Sequence, residues 1–420
     1  MNFPMIKWAK DLFPICRSLT GEGTKKTLNY FLRLNPEFKF IKFKSGKKVF
    51  DWVIPLEWNI KDAYIQHKSG KKYAEFKKNN LHLVGYSTPI NKYLTKNELL
   101  KKIHTQKDQP DAIPYVTSYY NKNWGFCLSE NQKKKLPNGK YKVRIDSSFK
   151  KGHMNIVHAL LKGKKKKEVF FSSYVCHPSM ANNELSGPVL LNAIMLYIKS
   201  KYKKTKYSYR FVLLPETIGS IAYLSKFKNT LKKKVICGFN LTCVGDERSY
   251  SYVSSPKEKT LADKALEAAL RGLKKVKKYS FINRGSDERQ YCSPGIDLPL
   301  CAFSRSKEYP EYHTDKDNFK VVTEKGLEGS FNVMKEIIDA FELGLYPKNV
   351  FLGEANLGKR NLYPEYSQKK TYNKNIFIRK NLLAYSDGSR SIFEISNLLG
   401  LPLKELCSEY KILKLKKVLS

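Results

Sequence analysis

The hydrophobic and polar positions divide the chain into stretches of different period. Residues 5–35 carry apolar positions at helical spacing, interrupted by Leu19-Thr20-Gly21-Glu22-Gly23, where a turn precedes a helix start at Thr24. From about 38 to 150 the period shortens to that of strands. Runs at 48–54, 63–65, 81–84, 124–128 and 141–145, separated by turn residues, predict a small all-β insertion. Residues 154–345 alternate the two periods, with strands expected at 169–175, 209–214, 237–244 and 298–303 and helices at 186–199, 219–227, 261–270 and 327–343. Such alternation builds βαβ units, so the expected fold class is α/β: a mostly parallel mixed sheet flanked by helices.

A connecting stretch near 346–373, rich in Asn, Gly and Tyr, leads into a tail with its own pattern. Helices are expected at 376–385, 392–399 and 403–413, with Gly400-Leu401-Pro402 as a tight turn before the last, which predicts a winged-helix-like C-terminal domain. The expected domains are 1–37 with 151–350 (the α/β domain), 38–150 (the β insertion) and 351–420 (the tail).

Composition narrows the function classes. With 41% hydrophobic and 13% aromatic residues in 420, the chain has the means to bury a core, which argues against disorder. Lys and Arg number 78 against 38 Asp and Glu, a formal charge of +40. The lysines occur throughout, in runs such as 133–135, 164–167 and 232–234, so they read as a solvated surface with salt-sensitive attraction to polyanions. Specific nucleic-acid binding is not expected. The third tail helix would offer Lys404, Glu405, Ser408, Glu409 and Lys411, a mixed-charge set poorly suited to reading bases. Eight cysteines lack CxxC spacing, the N-terminal residues lack a long apolar signal segment, and no apolar run reaches about 18 residues. These features predict a cytoplasmic protein without a membrane span; a homo-oligomer is left open.

In open α/β sheets ligands gather beyond the C-terminal ends of the strands. After the first expected strand come Cys176-His177 and Asn182-Asn183-Glu184; after the second, Pro215-Glu216-Thr217; after the third, Gly245-Asp246-Glu247. Near the last strands lie Ser286-Asp287-Glu288 and the segment 311–318, which contains His313. Singly, each has an ordinary explanation: a satisfied polar histidine, an acid at a helix start, an Asn-rich turn. Jointly they bring imidazoles and carboxylates to one edge, the donor set of a zinc site with a position open for water.

These residues carry a resemblance. Ala181-Asn182-Asn183-Glu184-Leu185-Ser186-Gly187 and His313-Thr314-Asp315-Lys316-Asp317 are similar to the Ala-Asn-Asp-x-x-Ser-Gly and His-Thr-x-x-Asp segments of the zinc aminopeptidase and glutaminyl-cyclase superfamily. The whole chain resembles more closely a bacterial group of aminopeptidase-like proteins with an inserted β domain and a C-terminal winged helix, connected with polysaccharide biosynthesis. Segments 12–23, 50–64, 82–89, 109–120, 176–188, 215–224 and 312–314 carry that match.

The resemblance implies His177, Asn183, Glu216 and His313 as metal ligands. Asn183 stands in the place of a bridging Asp, and Thr242 in that of a further acidic ligand, so one Zn2+ is expected rather than two. Asp246 and Glu184 are candidate replacement ligands. Asp287, or Glu216 if it does not bind metal, would handle the proton. Arg284, Arg289 and Arg305 are candidates to receive a substrate carboxylate or phosphate, with surface ion pairing as the alternative. The expected activity is metal-dependent hydrolysis of an amide bond in a small, peptide or sugar-linked substrate. The competing expectation is a non-catalytic scaffold of the same fold in surface-polysaccharide assembly. Trp52, Trp58, Tyr119, Tyr120 and Trp124 of the insertion would line the entrance or fill the insertion's own core.

Overall fold

Glu168–Tyr174 is buried at every position, as a strand is when both faces of its sheet are covered. The computed structural model describes residues 3–363 and 374–420, and the part of the connecting stretch at 364–373 lies outside the described residues. Glu168–Tyr174 sits inside an eight-stranded mixed sheet, in spatial order 39–44, 153–161, 208–214, 168–174, 235–241, 300–304, 250–253 and 276–279. The four central strands, 208–214 to 300–304, run parallel, with antiparallel pairings on either side.

Two apolar clusters cover the sheet. Alternate residues of one strand feed them: Phe171 joins the helices Met5–Leu12, Ser186–Lys201, Leu261–Leu270 and Glu324–Gly344, while Phe170 joins Ile218–Lys234 and the insertion. The insertion is built on an antiparallel sheet of Lys72–Tyr73, Glu57–His67, Lys140–Lys150 and Ile90–Thr95. Its first flanking strand, Lys39–Lys44, pairs with His153–Leu161 of the large sheet.

Several local expectations are corrected. Residues 48–54 form a two-residue hairpin, Lys48–Val49 against Trp52–Val53, because the chain reverses at Phe50 with φ 52°. Residues 80–82 form a 3₁₀ turn instead of a strand, its first free amide capped by the Asn79 side chain. The strands His153–Leu161, Tyr250–Val253 and Val276–Tyr279 add to the expected set, and helix Ile218–Lys234 extends well past its expected end at 227.

The tail folds into helices Lys374–Ala384, Ile392–Leu399 and Leu403–Leu415. Of the residues expected to be offered by its third helix, Glu405 pairs with Lys374 and Glu409 with Arg379. Lys404, Ser408 and Lys411 line a cleft of about 700 Å³ facing Asn332, Glu336 and Asp339 of the long helix. The helix is thus turned toward the α/β domain. No helix among the described residues is long and apolar enough to cross a membrane.

Phe171 stacks on Phe211 at 5.3 Å between ring centres and meets Phe239 at 5.6 Å. Phe171→Ala is expected to cost about 3–5 kcal/mol. In urea unfolding the midpoint should fall with little change in slope; a loss below about 1 kcal/mol would contradict this central packing role.

Candidate metal centre

The candidate ligands reach one place because their strands stop at one edge. After Tyr174 the chain passes His177 and enters a single wide helical turn, Ala181–Leu185, before the helix Ser186–Lys201. A Cβ at Gly187 would collide with Ser173 Oγ and the Leu241 carbonyl oxygen, so glycine lets the helix start press onto the strand ends. Asp317 holds the wide turn from the opposite loop. Its carboxylate accepts the amides of Asn182 (2.6 Å) and Asn183 (2.8 Å) and the Tyr309 hydroxyl (2.7 Å), and its carbonyl accepts the Ala181 amide (2.9 Å). Burial raises its pKa to about 6 against the pull of those donors.

His177 is buried, and its two ring nitrogens face different partners. Nδ1 lies 2.8 Å from Glu184 Oε2, and Nε2 lies 3.6 Å from Glu216 Oε2. Burial opposes a charged imidazole there, but Cys176 and Glu184 outweigh it, leaving the His177 pKa raised. Glu184 is the partner that carries this direction, since burial pushes the Cys176 thiol up to about 11 and keeps it neutral. Arg17 clamps the backbone behind the ring, donating Nε to the His177 carbonyl (2.9 Å) and NH1 to the Leu12 carbonyl (2.6 Å).

His313 sits across the site, its ring centre 5.4 Å from that of His177. Its Nε2 is buried and has no hydrogen-bond partner among the described residues. Burial, and then the charge at His177, lower its pKa to about 3, which leaves a neutral imidazole with a free lone pair. Tyr312 stacks on the His313 ring at 3.9 Å, and Tyr115 of the insertion stands beside both imidazoles, 5.0 Å from His177 and 5.2 Å from His313.

Glu216 follows the neighbouring strand; burial raises its pKa, partly offset by His177. Asp287 Oδ1 accepts the Thr217 amide and the Ser220 hydroxyl, each at 2.8 Å, while Oδ2 is buried without a partner among the described residues. Burial and the Glu216 charge lift Asp287 to about 8. Ser179, Thr217, Cys243 and His313, all in these loops, have φ of 43°, 63°, 52° and 57°. Such left-handed conformations are costly for non-glycine residues and persist where surrounding structure enforces them.

One pair in this donor set has the spacing of two ligands to one ion. Ligand atoms of a tetrahedral zinc stand about 3.3 Å apart, close to the 3.6 Å between His177 Nε2 and Glu216 Oε2. The unpartnered Nε2 of His313 belongs to a ring 5.4 Å from that of His177, whereas the His, Cys, Asp and Glu group among the described residues whose donor atoms all lie within 4.8 Å of one another is Cys176, His177 and Glu184. Where a second ion would need acids there is a neutral chain instead: Asn183 Nδ2 donates to the Tyr174 hydroxyl (2.9 Å), which meets Thr242 Oγ1 at 2.6 Å. The amide oxygen of Asn183 is buried and unpartnered among the described residues.

Not every expected residue converges. Asp246 is spent on holding loops together, accepting the Ser306 amide (3.1 Å) and hydroxyl (2.6 Å), the Arg248 amide (2.9 Å) and Asn182 Nδ2 (3.3 Å). Glu184 is turned to the back of His177. Arg305 lies over the Tyr250 ring at 3.6 Å and against Gly329 of the long helix, rather than beside Glu216. Arg284 is exposed and folds back on the Phe281 ring and carbonyl. Arg289 is the arginine of the three that reaches the site's loops, donating to Thr217 Oγ1 (2.9 Å) and the Ser286 carbonyl (3.0 Å). Of the insertion's aromatics, Trp58 is buried against Tyr86, whereas the Tyr119 hydroxyl meets that of Tyr115 at 2.7 Å. Arg17, Tyr115, Tyr174 and Asp317 also act at the site, and of these the sequence marks only Asp317, as the acid of the His313 segment.

A cavity of about 570 Å³ opens beside Glu216, walled by Tyr174, Val253, Tyr309 and Tyr312, with Lys307 and Glu308 also among its lining. The insertion reaches across to the His313 loop. Ile113 N–H donates to Asp315 Oδ1 (2.8 Å), Asp315 N–H to the Ile113 carbonyl (3.1 Å), and Tyr115 N–H to the His313 carbonyl (2.8 Å).

Comparison with known proteins agrees with this architecture. A family model described as a domain of unknown function (DUF4910) matches residues 6–344, and one described as a winged helix-turn-helix matches residues 345–420. A protein of Clostridium acetobutylicum, named as a candidate polysaccharide biosynthesis protein with an aminopeptidase-like domain, is 39% identical over 404 residues, covering 94% of this chain and 91% of its own. The crystal structure of a candidate peptidase from Clostridium acetobutylicum superposes with a TM-score of 0.91 at 37% identity, covering 99% of this chain and 96% of that one. A zinc aminopeptidase from Bacillus subtilis, BSAP, has the same fold at a TM-score of 0.57 and 14% identity, covering 80% and 94%.

The bonds between Asp315 and Ile113 tie the insertion to a candidate ligand loop. Asp315→Ala leaves the Ile113 amide without this acceptor, an expected loss of about 1–3 kcal/mol. Limited proteolysis between 105 and 125 should accelerate in the variant; cleavage at the parent's rate would show that the tie does not hold the insertion in place.

Proposed function

The chain belongs to the family described as a domain of unknown function (DUF4910), with an aminopeptidase-like fold and a C-terminal winged helix, and on that premise we propose that it is a hydrolase using one zinc ion to cleave an amide bond. The observation that carries the reading is His177 Nε2 lying 3.6 Å from Glu216 Oε2, with the His313 ring centred 5.4 Å from that of His177 and its Nε2 buried without a partner among the described residues. These three would hold the ion, with the Asn183 amide oxygen as a neutral neighbour. A bound zinc supplies a Lewis acid for the amide carbonyl and lowers the pKa of its water toward roughly 7.

The chain's own residues do the rest. Glu184 and Arg17 keep His177 oriented from behind, and Tyr115 and Tyr312 pack on the imidazoles and exclude bulk water. Asp287, with Oδ1 anchored and Oδ2 unpartnered, takes a proton and returns it to the departing amine. Glu216 takes this role if it does not bind metal. The tyrosine-walled cavity receives the substrate's side group, and Arg289 is placed to meet a carboxylate near Glu216. The aminopeptidase fold supports a peptide or aminoacyl substrate, and the name of the Clostridium acetobutylicum relative supports a sugar-linked one. The eight free cysteines are compatible with a reducing cytoplasm.

A second reading, a scaffold that keeps the fold without chemistry, draws on the Asn183-Tyr174-Thr242 chain standing where acidic ligands are usual. Elemental analysis of protein purified without a histidine tag separates the two. About one zinc per chain, lost in His177→Ala and in His313→Ala, is expected of a site closed by these ligands. Asp287→Asn should then retain zinc while kcat on aminoacyl and acylamino substrates falls by roughly 10²–10⁴. No bound metal, even after zinc is added back, would favour the scaffold.

A further inference from the structure

Resting on the single-ion reading, we propose that Glu184 is a positioning residue that holds His177 with Nε2 toward the metal. Adjacent residues on a helical turn point in different directions, and the wide turn Ala181–Leu185 uses this difference. Asn183 faces Tyr174 on the pocket side, whereas Glu184 reaches behind His177 and places Oε2 2.8 Å from Nδ1.

That distance makes the contact a hydrogen bond and not a pair of ligands to one ion, for which about 3.3 Å is needed. The arrangement is therefore a carboxylate behind a ligating histidine, which fixes the tautomer and raises the basicity of the far nitrogen. The Glu184 carboxylate has one further charged partner, the buried guanidinium of Arg17. The Glu184 side chain is fully buried, and the nearest guanidinium atom, Arg17 Nε, stands 3.7 Å from Oε1 while donating to the His177 carbonyl. Arg17 thereby fixes the loop backbone, and Glu184 fixes the ring.

Glu184→Gln keeps an acceptor for Nδ1–H and removes only the charge. In zinc competition against a chelator, the variant should bind 10- to 100-fold more weakly than the parent. Its cobalt form should show a changed visible spectrum. A parent that binds no metal overturns the single-ion reading and this inference together. A parent that binds, with a variant of equal affinity and equal cobalt spectrum, overturns this inference alone. A second measurement needs no variant. In the zinc-loaded parent labelled with ¹⁵N-histidine, His177 should show Nε2 metallated and Nδ1 protonated. Metallation at Nδ1 would overturn the proposal however Glu184→Gln folds.

Discussion

Everything at the candidate centre depends on one constraint: the central parallel strands are covered on both faces, so polar chemistry can leave the sheet only at its ends. Ser172 and Ser173 illustrate the cost of polarity inside. Each is buried and each is satisfied at once, Ser172 with the Tyr291 hydroxyl (2.8 Å) and Ser173 with the Leu241 carbonyl (2.8 Å). Two or three residues beyond the strand ends this restriction lifts, and His177 and Glu216 appear there on neighbouring strands. The strand order, rather than any local motif, brings them within 3.6 Å.

The loops that hold these residues are strained and over-determined. Asp317 grips the turn carrying Asn183 and Glu184, Asp287 grips the Thr217 turn, and the insertion grips the His313 loop through Asp315. Each grip is a carboxylate accepting backbone amides, which costs desolvation but fixes geometry to within a hydrogen bond's tolerance. The insertion is thereby part of the site's wall: Tyr115 reaches both imidazoles, and its own amide is bonded to the His313 carbonyl. The winged helix is treated differently. Its third helix faces the long helix 324–344 across a cleft, so its position is explained by packing without a duplex.

The α/β character was legible because long, fully apolar strands and amphipathic helices alternate in the sequence, and the candidate ligands because they follow those strands directly. What sequence could not give is what depends on contacts across the fold. Arg305 follows a strand as His177 does, yet it turns to Tyr250, a choice made by a glycine at 329 in a distant helix. Asp246 follows a strand as well, but three donors from two other loops and one from its own claim its carboxylate. The strand 39–44 lies in a segment whose period matched the insertion, but its partner is His153–Leu161 of the large sheet. Tyr115 carries no local mark of its role; it becomes a site residue only when the insertion folds back.

The account's central claim is a single metal ion held by two imidazoles and one carboxylate, with neutral groups where a second ion would sit. X-ray absorption at the zinc edge tests it most directly, because it reads donors and metal neighbours without reference to any substrate. For the zinc-loaded protein the account predicts two imidazole nitrogens near roughly 2.0 Å, the remaining donors oxygen, and no metal neighbour. A metal–metal distance near about 3.5 Å, or a sulfur donor near about 2.3 Å from Cys176, would contradict it.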